Sequence, residues 1–203
     1  MAERNPPSLH NRKQASFAEA IRHRRVLVSA ALFACLAGMV EAAPPASARI
    51  HNFGQVNANV YRGAVPTPEG LKDLNAMGIK LVIDLRETGK ATAEEQSFVE
   101  RLGMKYVNIP LAPWSAPAPE QVERALALLQ VASSAEPVFV HCRRGKDRTG
   151  TVVACYRIEH DRWSRQKALE EANQYGMSRT EWGMRSFVLH FAPGPFTDLQ
   201  AAH

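Results

Sequence analysis

Short apolar runs alternate with longer amphipathic segments along most of the chain. Val138-Phe139-Val140 is fully apolar, and the run from Ile79 to Leu85 is nearly so. Together with residues 59–62 and 104–109, these runs predict four strands. Apolar residues at helical spacing, flanked by capping residues, prolines and glycines, predict six helices at residues 67–78, 93–102, 120–132, 149–160, 164–175 and 179–191. Strands that alternate with helices predict an α/β fold with a central, mostly parallel sheet flanked by helices.

The length of the chain bounds its domain organisation. At 203 residues the chain lies near the upper end of the single-domain range, and no internal repeat divides it. Proline and small residues over residues 43–55 predict a linker. Residues 56–203 are therefore expected to form a single catalytic or binding domain.

The first 42 residues carry the pattern of an export signal. A basic stretch at residues 22–25 precedes the uncharged run from Val26 to Val40. This run is short for a membrane span but fits the core of a signal peptide, and small residues follow it. We therefore expect an exported, periplasmic protein with cleavage after Ala42 or Ala43. An uncleaved membrane anchor is the alternative, and only such a retained segment would attach the protein to a membrane.

The positive charge of the chain is concentrated in this first segment. The chain has 25 Lys and Arg residues against 20 Asp and Glu residues, but six of the basic and three of the acidic residues lie within residues 1–42. The remainder carries 19 basic and 17 acidic residues. Such a nearly neutral domain lacks the basic surface that nucleic acid binding requires, so nucleic acid is not an expected partner.

One segment between a predicted strand and a predicted helix carries the candidate chemistry. It runs His141-Cys142-Arg143-Arg144-Gly145-Lys146-Asp147-Arg148-Thr149-Gly150. In open α/β sheets, ligands bind beyond the carboxyl ends of the strands, which is where this segment lies. Backbone N–H groups of the loop and of the following helix N-terminus predict an anion-binding site there. The same positive potential favours the thiolate form of Cys142, which is the nucleophilic form.

Three other residues of the segment suit a phosphate ligand. Arg148, six residues after Cys142, can present two parallel N–H donors to two phosphate oxygens. Gly145 allows the tight turn whose N–H groups point inward. Thr149 can donate its hydroxyl to the sulfur and stabilise it as a leaving group.

The segment resembles the Cys-x5-Arg signature of the protein tyrosine and dual-specificity phosphatases. The full pattern His-Cys-x-x-Gly-x-x-Arg-Thr-Gly is present without a mismatch. The wider resemblance, to the bacterial branch of dual-specificity-like phosphatases, covers about residues 57–190 and includes Tyr61-Arg62-Gly63 with Pro66, and Asp84-Leu85-Arg86. It implies a cysteine-phosphatase-like fold and a phosphocysteine intermediate on Cys142, with no metal or organic cofactor. It also implies that His141 fixes the environment of the thiolate.

Five further cations lie in the loop or at predicted strand ends. Arg143, Arg144 and Lys146 either select highly anionic substrates or attract phosphate from solvent-facing positions. Arg62 and Arg86 contact the substrate, support the loop, or form structural ion pairs. The sequence leaves these alternatives open.

The general acid is missing from the position that the resemblance implies. Family members carry an aspartate on a separate loop, which corresponds here to residues 110–119, and these residues include no Asp or Glu. Asp147, within the cysteine loop, is the expected replacement, as the resemblance to bacterial relatives with a Lys-Asp-Arg-Thr loop implies. A purely structural role, in which this carboxylate orients Arg148, is the alternative. Glu120 is the second candidate, although its place at a helix start also suits interaction with the helix dipole.

Outside residues 1–42, the chain contains one cysteine besides Cys142, at position 155. The spacing of Cys142 and Cys155 suits neither a disulfide framework nor a zinc site. We expect Cys155 to be a small buried side chain on the helix that follows the loop. A regulatory disulfide with Cys142 is the alternative in an oxidising compartment.

The sequence thus predicts a cysteine-dependent phosphatase. Its expected substrates are phosphomonoesters on proteins (phosphotyrosine, phosphoserine or phosphothreonine), phosphoinositides, or inositol phosphates. A phosphate-binding module with weak or lost turnover is the main alternative, because the usual acid is absent; an inositol polyphosphate phosphatase is another. Sulfur transfer by a rhodanese-like loop fits less well, since such a loop does not require the Arg-Thr-Gly ending.

Overall fold

The apolar runs at residues 79–85 and 138–140 become two inner strands of a five-stranded sheet. The computed structural model describes residues 49–194 of the chain. The strands are β1 (Gly54–Gln55), β2 (Val60–Ala64), β3 (Leu81–Asp84), β4 (Lys105–Asn108) and β5 (Val138–Cys142). The helices are α1 (Pro68–Ala76), α2 (Lys90–Arg101), α3 (Pro119–Gln130), α4 (Asp147–Glu159), α5 (Arg165–Gln174) and α6 (Trp182–His190).

The sheet has the order β1-β2-β5-β3-β4, and every pairing except that of β1 with β2 is parallel. The prediction of a mostly parallel α/β sheet is therefore confirmed. Strand β5 lies in the centre, with all five of its residues buried, which explains its continuous apolar sequence. Ala64 of β2 lies opposite Cys142, and Asp84 of β3 lies opposite His141, so the carboxyl ends of three strands meet at one edge.

Two apolar cores cover the two faces of the sheet. Because side chains alternate along a strand, Val138 and Val140 pack into one core and Phe139 packs into the other. Helices α3 to α6 contribute to the first core, and helices α1 and α2 contribute to the second. Helix α4 lies deepest, since eleven of its thirteen residues are buried. The end of β5 and the start of α4 are thus both held in the interior.

Residues 49–55 are folded, so the predicted linker is wrong for this part of the chain. The Ile50 side chain is 1% exposed and packs in the second core. Gly54 and Gln55 pair with Arg62 and Tyr61 as an antiparallel edge strand. One isoleucine and a two-residue strand leave no periodic pattern beside the preceding prolines, which is why the sequence did not predict this strand. Residues 43–48 of the predicted linker lie outside the described residues.

The predicted signal or anchor segment, residues 1–42, also lies outside the described residues. Within residues 49–194, no helix combines the length and the apolar character that crossing a bilayer requires.

Candidate active site

The candidate nucleophile lies where a buried strand turns into a buried helix. Cys142 is the last residue of β5, and only four residues separate it from the start of α4 at Asp147. Its side chain is 3% exposed and lines an open cleft of about 710 Å³. The N-terminus of α4 therefore directs its positive end and its unpaired N–H groups toward the region of the sulfur. This is the strand, loop and helix arrangement that the sequence predicted.

Gly145 lets the loop pass close to β2. Its φ is +68°, and an added Cβ would lie 2.5 Å from the carbonyl carbon of Gly63. The Gly145 carbonyl accepts hydrogen bonds from Asn52 Nδ2 at 2.8 Å and Arg62 Nη2 at 3.0 Å. No other residue type combines this positive φ with this close approach. The loop is thereby fixed against the second strand of the sheet.

Arg62 supports the loop from beneath and does not line the cleft. Its side chain is 1% exposed and stacks on the Tyr175 ring, with Cζ 3.8 Å from the ring centroid. Burial lowers the pKa of Arg62 to about 10. Since that value is still above neutral pH, Arg62 places a positive charge behind the loop that holds Cys142. Of the roles left open by the sequence, loop support is the one this geometry fits.

A buried charge network lies beneath the residue that precedes the nucleophile. Arg86 donates to Asp84 Oδ2 and to Glu95 Oε2, both at 2.6 Å, and Tyr106 donates to Asp84 at 2.7 Å. His141 Nε2 lies 2.9 Å from Glu95 Oε1. Burial alone would raise the pKa of Asp84, but the charge of His141 and the bonds from Arg86 and Tyr106 lower it below its usual value. Arg86 thus holds the two carboxylates that lie beside His141, and it does not line the cleft.

This network also brings three potential metal ligands together. One ligand atom each from Asp84, Glu95 and His141 lies within 4.8 Å of the others. The Arg86 guanidinium donates to both carboxylates and supplies the positive charge that they need. The arrangement is therefore that of an ion-pair network built around an arginine.

Arg148 is positioned by backbone carbonyl groups. Its Nη1 donates to the carbonyl oxygens of Leu85, at 3.4 Å, and Leu111, at 3.3 Å, which follow β3 and β4. Within residues 49–194, its Nε and Nη2 make no protein hydrogen bond, and the side chain lines the cleft beside Cys142. Those nitrogens are free to form paired hydrogen bonds with a phosphate.

Asp147 and Thr149, at the start of α4, have different surroundings. The Asp147 carboxylate lines the cleft and accepts a hydrogen bond from the Ser178 N–H at 2.8 Å. Its other oxygen lies 3.3 Å from Arg144 Nη2. Thr149 is fully buried, and its hydroxyl has no hydrogen-bond partner among the described residues. That hydroxyl is available to a ligand or to the sulfur.

The remaining loop cations face a second cavity. A pocket of about 410 Å³ adjoins the main cleft and is lined by Arg143, Arg144 and Lys146 together with His51. Arg143 and Arg144 line both cavities. The basic side chains therefore form a continuous wall that extends away from Cys142.

Trp114 and Glu181 are among the cleft residues that the sequence did not identify as candidates. Trp114, on the loop before α3, lines the rim and is 68% exposed. Glu181, directly before α6, lines the cleft although it is only 3% exposed. Glu181 falls inside a predicted helix that begins at Arg179, where a glutamate is usually a solvated surface residue. The sequence contains no motif that would have identified it.

Glu120, the second acid predicted from the sequence, is not part of this cleft. It is exposed at the start of α3 and lines a separate groove with Glu123 and Arg124. The prediction of Glu120 as an acid is therefore wrong, because the helix start directs this side chain to another surface.

Cys155 lies on α4 and is fully buried, as predicted. Burial raises its pKa strongly, which keeps it a thiol. Cys142 and Cys155 are both free thiols in the structure. Helical residues rise by about 1.5 Å each, so Cys155 lies about 12 Å along α4 from its first residue. No disulfide joins it to Cys142.

Comparisons with known proteins agree with this arrangement. A family model described as "DSP-PTPase phosphatase fused to NAD+ Kinase" matches residues 40–189. The dual specificity protein phosphatase TpbA of Pseudomonas aeruginosa PAO1 is 30% identical over 166 residues, which cover 75% of this chain and 72% of that protein. For TpbA of strain UCBPP-PA14, the match is 30% over 128 residues and spans 55% of that protein. The inositol diphosphatase DSP4 of Arabidopsis thaliana is 27% identical, over 68% of this chain and 70% of that protein.

Solved structures share the fold. A crystal structure of P. aeruginosa TpbA superposes with a TM-score of 0.60 and 24% identity, covering 70% of this chain and 86% of that chain. The catalytic core of Siw14 superposes with a TM-score of 0.65 and 20% identity, covering 79% and 94%.

Proposed function

The chain belongs to the DSP-PTPase phosphatase family, and on that premise we propose that it hydrolyses phosphomonoesters through a phosphocysteine intermediate. The observation that carries the proposal is the meeting of Cys142, Arg148 and the N-terminus of α4 in one cleft. A thiolate repels a phosphate dianion unless positive groups surround both. The helix N-terminus and a guanidinium with two free nitrogens provide that charge.

The reaction proceeds in two displacements. In the first, Cys142 Sγ attacks phosphorus, the bond between phosphorus and the ester oxygen breaks, and the leaving oxygen takes a proton from a carboxylic acid of the cleft. In the second, a water molecule attacks the phosphocysteine, gives its proton to the same carboxylate and releases phosphate and thiolate. Arg148 holds two phosphate oxygens through both steps, and the free hydroxyl of Thr149 donates to the departing sulfur.

The substrate class follows from the shape of the basic wall. When a phosphate binds at Cys142, the adjoining pocket remains open to a second anionic group of the same substrate. Arg143, Lys146 and His51 line that pocket. Among the expected classes, phosphorylated proteins, phosphoinositides and inositol phosphates, this geometry favours those with several closely spaced phosphates. The named activity of DSP4, an inositol diphosphatase, supports the same choice.

We expect Lys146→Gln to lower the preference for multiply phosphorylated inositols. The ratio of kcat/KM for inositol hexakisphosphate to that for 4-nitrophenyl phosphate should fall roughly tenfold, because one charged hydrogen bond to the second anion is lost. The measurement is phosphate release over a panel of inositol phosphates, phosphoinositides and phosphotyrosine peptides. Lys72→Gln, which removes an equal charge from an exposed position on α1, is the matched control. An unchanged ratio, with phosphopeptides as the better substrates, would exclude the second anion site.

We further propose that the protein is exported. The basic residues 22–25 and the uncharged run from Val26 to Val40 support this proposal. Expression of the full chain in a Gram-negative host should give a periplasmic protein that begins at Ala43 or Pro44, as read by mass spectrometry of the mature N-terminus. A cytoplasmic protein that retains residues 1–42 would contradict export.

A further inference from the structure

The proposed reaction needs a protonated group in the cleft, and three carboxyl groups line it. They are Glu87, Asp147 and Glu181. The leaving oxygen of an ordinary phosphate ester departs slowly unless a proton reaches it in the transition state. Glu87 is exposed to solvent, whereas Asp147 and Glu181 are buried.

Both oxygens of the Asp147 carboxylate have hydrogen-bond partners within the protein. One oxygen accepts the Ser178 N–H at 2.8 Å, and the other lies 3.3 Å from the Arg144 guanidinium. Both oxygens of Asp147 thus already act as hydrogen-bond acceptors toward the protein. This suits a positioning role better than that of a proton donor.

Glu181 has the opposite surroundings. It is 3% exposed, and its Oε2 is buried without a hydrogen-bond partner among residues 49–194. Burial raises the pKa of Glu181, and the charge of Asp147 raises it further; Arg144 and Arg148 act in the other direction without cancelling the effect. These three groups are the charged neighbours that act on Glu181. A buried carboxyl group with a raised pKa beside a second carboxyl group is typical of a general acid.

The place of Glu181 in the fold corresponds to the missing acid. Gly183, two residues later, lets the start of α6 approach the backbone of the 110–119 loop; an added Cβ would lie 2.5 Å from the Ala116 nitrogen. This is the loop on which, by the resemblance, other family members carry their acid. The first turn of α6 thus brings a carboxyl group to the side of the cleft from which the loop supplies none.

We propose that Glu181 is the general acid and general base of the reaction. Its carboxyl group gives the proton to the leaving oxygen as Cys142 attacks, and the resulting carboxylate accepts a proton from the water that attacks the phosphocysteine. Asp147 acts on Glu181 through its charge. The inference rests on the proposed phosphatase function, and it reassigns the acid role that the sequence gave to Asp147.

The test compares substrates whose leaving groups need the proton to different degrees. For Glu181→Gln in the full chain, we expect kcat/KM to fall about 10²-fold or more with phenyl phosphate, and less than about threefold with 2,4-dinitrophenyl phosphate, whose leaving group departs without a proton. In the parent protein, the rate with phenyl phosphate should fall at high pH as Glu181 loses its proton. This fall should be absent in Glu181→Gln. Glu87→Gln, which removes another cleft carboxyl group, should keep the leaving-group dependence of the parent protein.

Asp147→Asn separates the two carboxyl groups. Removing its charge should lower the pKa of Glu181, so the decline of the rate at high pH should begin at lower pH while the leaving-group dependence is retained. A steep leaving-group dependence in Asp147→Asn, with none in Glu181→Gln, would return the acid role to Asp147. An equal loss for both substrates in Glu181→Gln would reduce Glu181 to a structural residue.

Separate control experiments test whether the Glu181 variant folds and whether the proposed phosphatase reaction occurs. Thermal unfolding should give Glu181→Gln the melting temperature of the parent, because the Glu181 side chain makes no capping bond to α6. If this variant does not fold, the pH profiles of the parent with the two substrates decide: a decline at high pH with phenyl phosphate alone supports the proposal, and identical profiles overturn it. Turnover that survives Cys142→Ser would instead refute the phosphocysteine reaction. The step in which Glu181 is proposed to act as an acid would then be refuted with it.

Discussion

Replacing Cys142 with serine is expected to reduce turnover of aryl phosphates by about 10⁴-fold or more, the scale of loss seen when a covalent nucleophile is removed from a hydrolase. A serine hydroxyl is a much weaker acid and a weaker nucleophile than a thiol, so its oxygen cannot replace the Cys142 sulfur in the attack on phosphorus. Phosphate or vanadate should still bind, because the loop amides and Arg148 are unchanged.

Pre-steady-state kinetics with 4-nitrophenyl phosphate measures this effect. The parent protein should release a burst of 4-nitrophenol that matches the enzyme concentration, and Cys142→Ser should release none. Cys155→Ala is the matched control, since Cys155 is a buried thiol far along α4. Iodoacetate should modify Cys142 rapidly, and phosphate should protect it. A slow thiol without protection, or a protein that binds vanadate and gives no burst, would instead indicate a binding module.

Replacing Arg148 with lysine is expected to lower kcat/KM by about 10² to 10³-fold although the charge is kept, the range found for removal of one preorganised transition-state donor. Arg148 binds two backbone carbonyls through Nη1 while its Nε and Nη2 remain available to phosphate. An ammonium group has a single nitrogen and cannot hold the carbonyls of Leu85 and Leu111 while it presents two parallel donors.

The measurement is steady-state kinetics with aryl phosphates, together with the dissociation constant of vanadate. Both kcat/KM and the dissociation constant of vanadate should change, because the paired hydrogen bonds from Arg148 to the oxygens of phosphate or vanadate are lost. Arg179→Lys, an exposed position outside the cleft, controls for the exchange of side chains. Parent-like kinetics in Arg148→Lys would show that charge alone, rather than the geometry of the guanidinium, supports the reaction.

Much of the fold was predictable because its determinants are local. The apolar run at residues 138–140 and the cysteine loop after it specify a buried strand followed by a tight turn, and the structure has both. The same holds for α1, where Thr67 caps the helix by accepting the Gly70 N–H and Pro68 occupies the first turn. The sequence also placed Cys142 and Arg148 in one site, since six residues of loop and helix leave few alternatives.

Features that depend on distant contacts were not predictable. Glu181 comes near Asp147 only because the turn before α6 donates the Ser178 N–H across 31 residues of sequence. Ile50 is buried only because α1 and Phe139 form a core around it. Glu120 had the right residue type at a plausible distance in sequence, but the direction of α3 sends it to another groove. Periodicity and motifs describe neighbours along the chain, whereas these three residues are defined by neighbours in space.

The burial of α4 has a consequence for how this protein can change over evolution. Both ends of the cysteine loop are embedded in the cores, so a substitution that alters the loop backbone also disturbs the packing of the whole domain. The side chains of Trp114 and Arg144 at the rim of the cleft are exposed, so their substitution does not disturb the packing of the cores. New substrate preferences can therefore arise at the rim while the bond-breaking centre stays the same, which separates what the protein recognises from how it reacts.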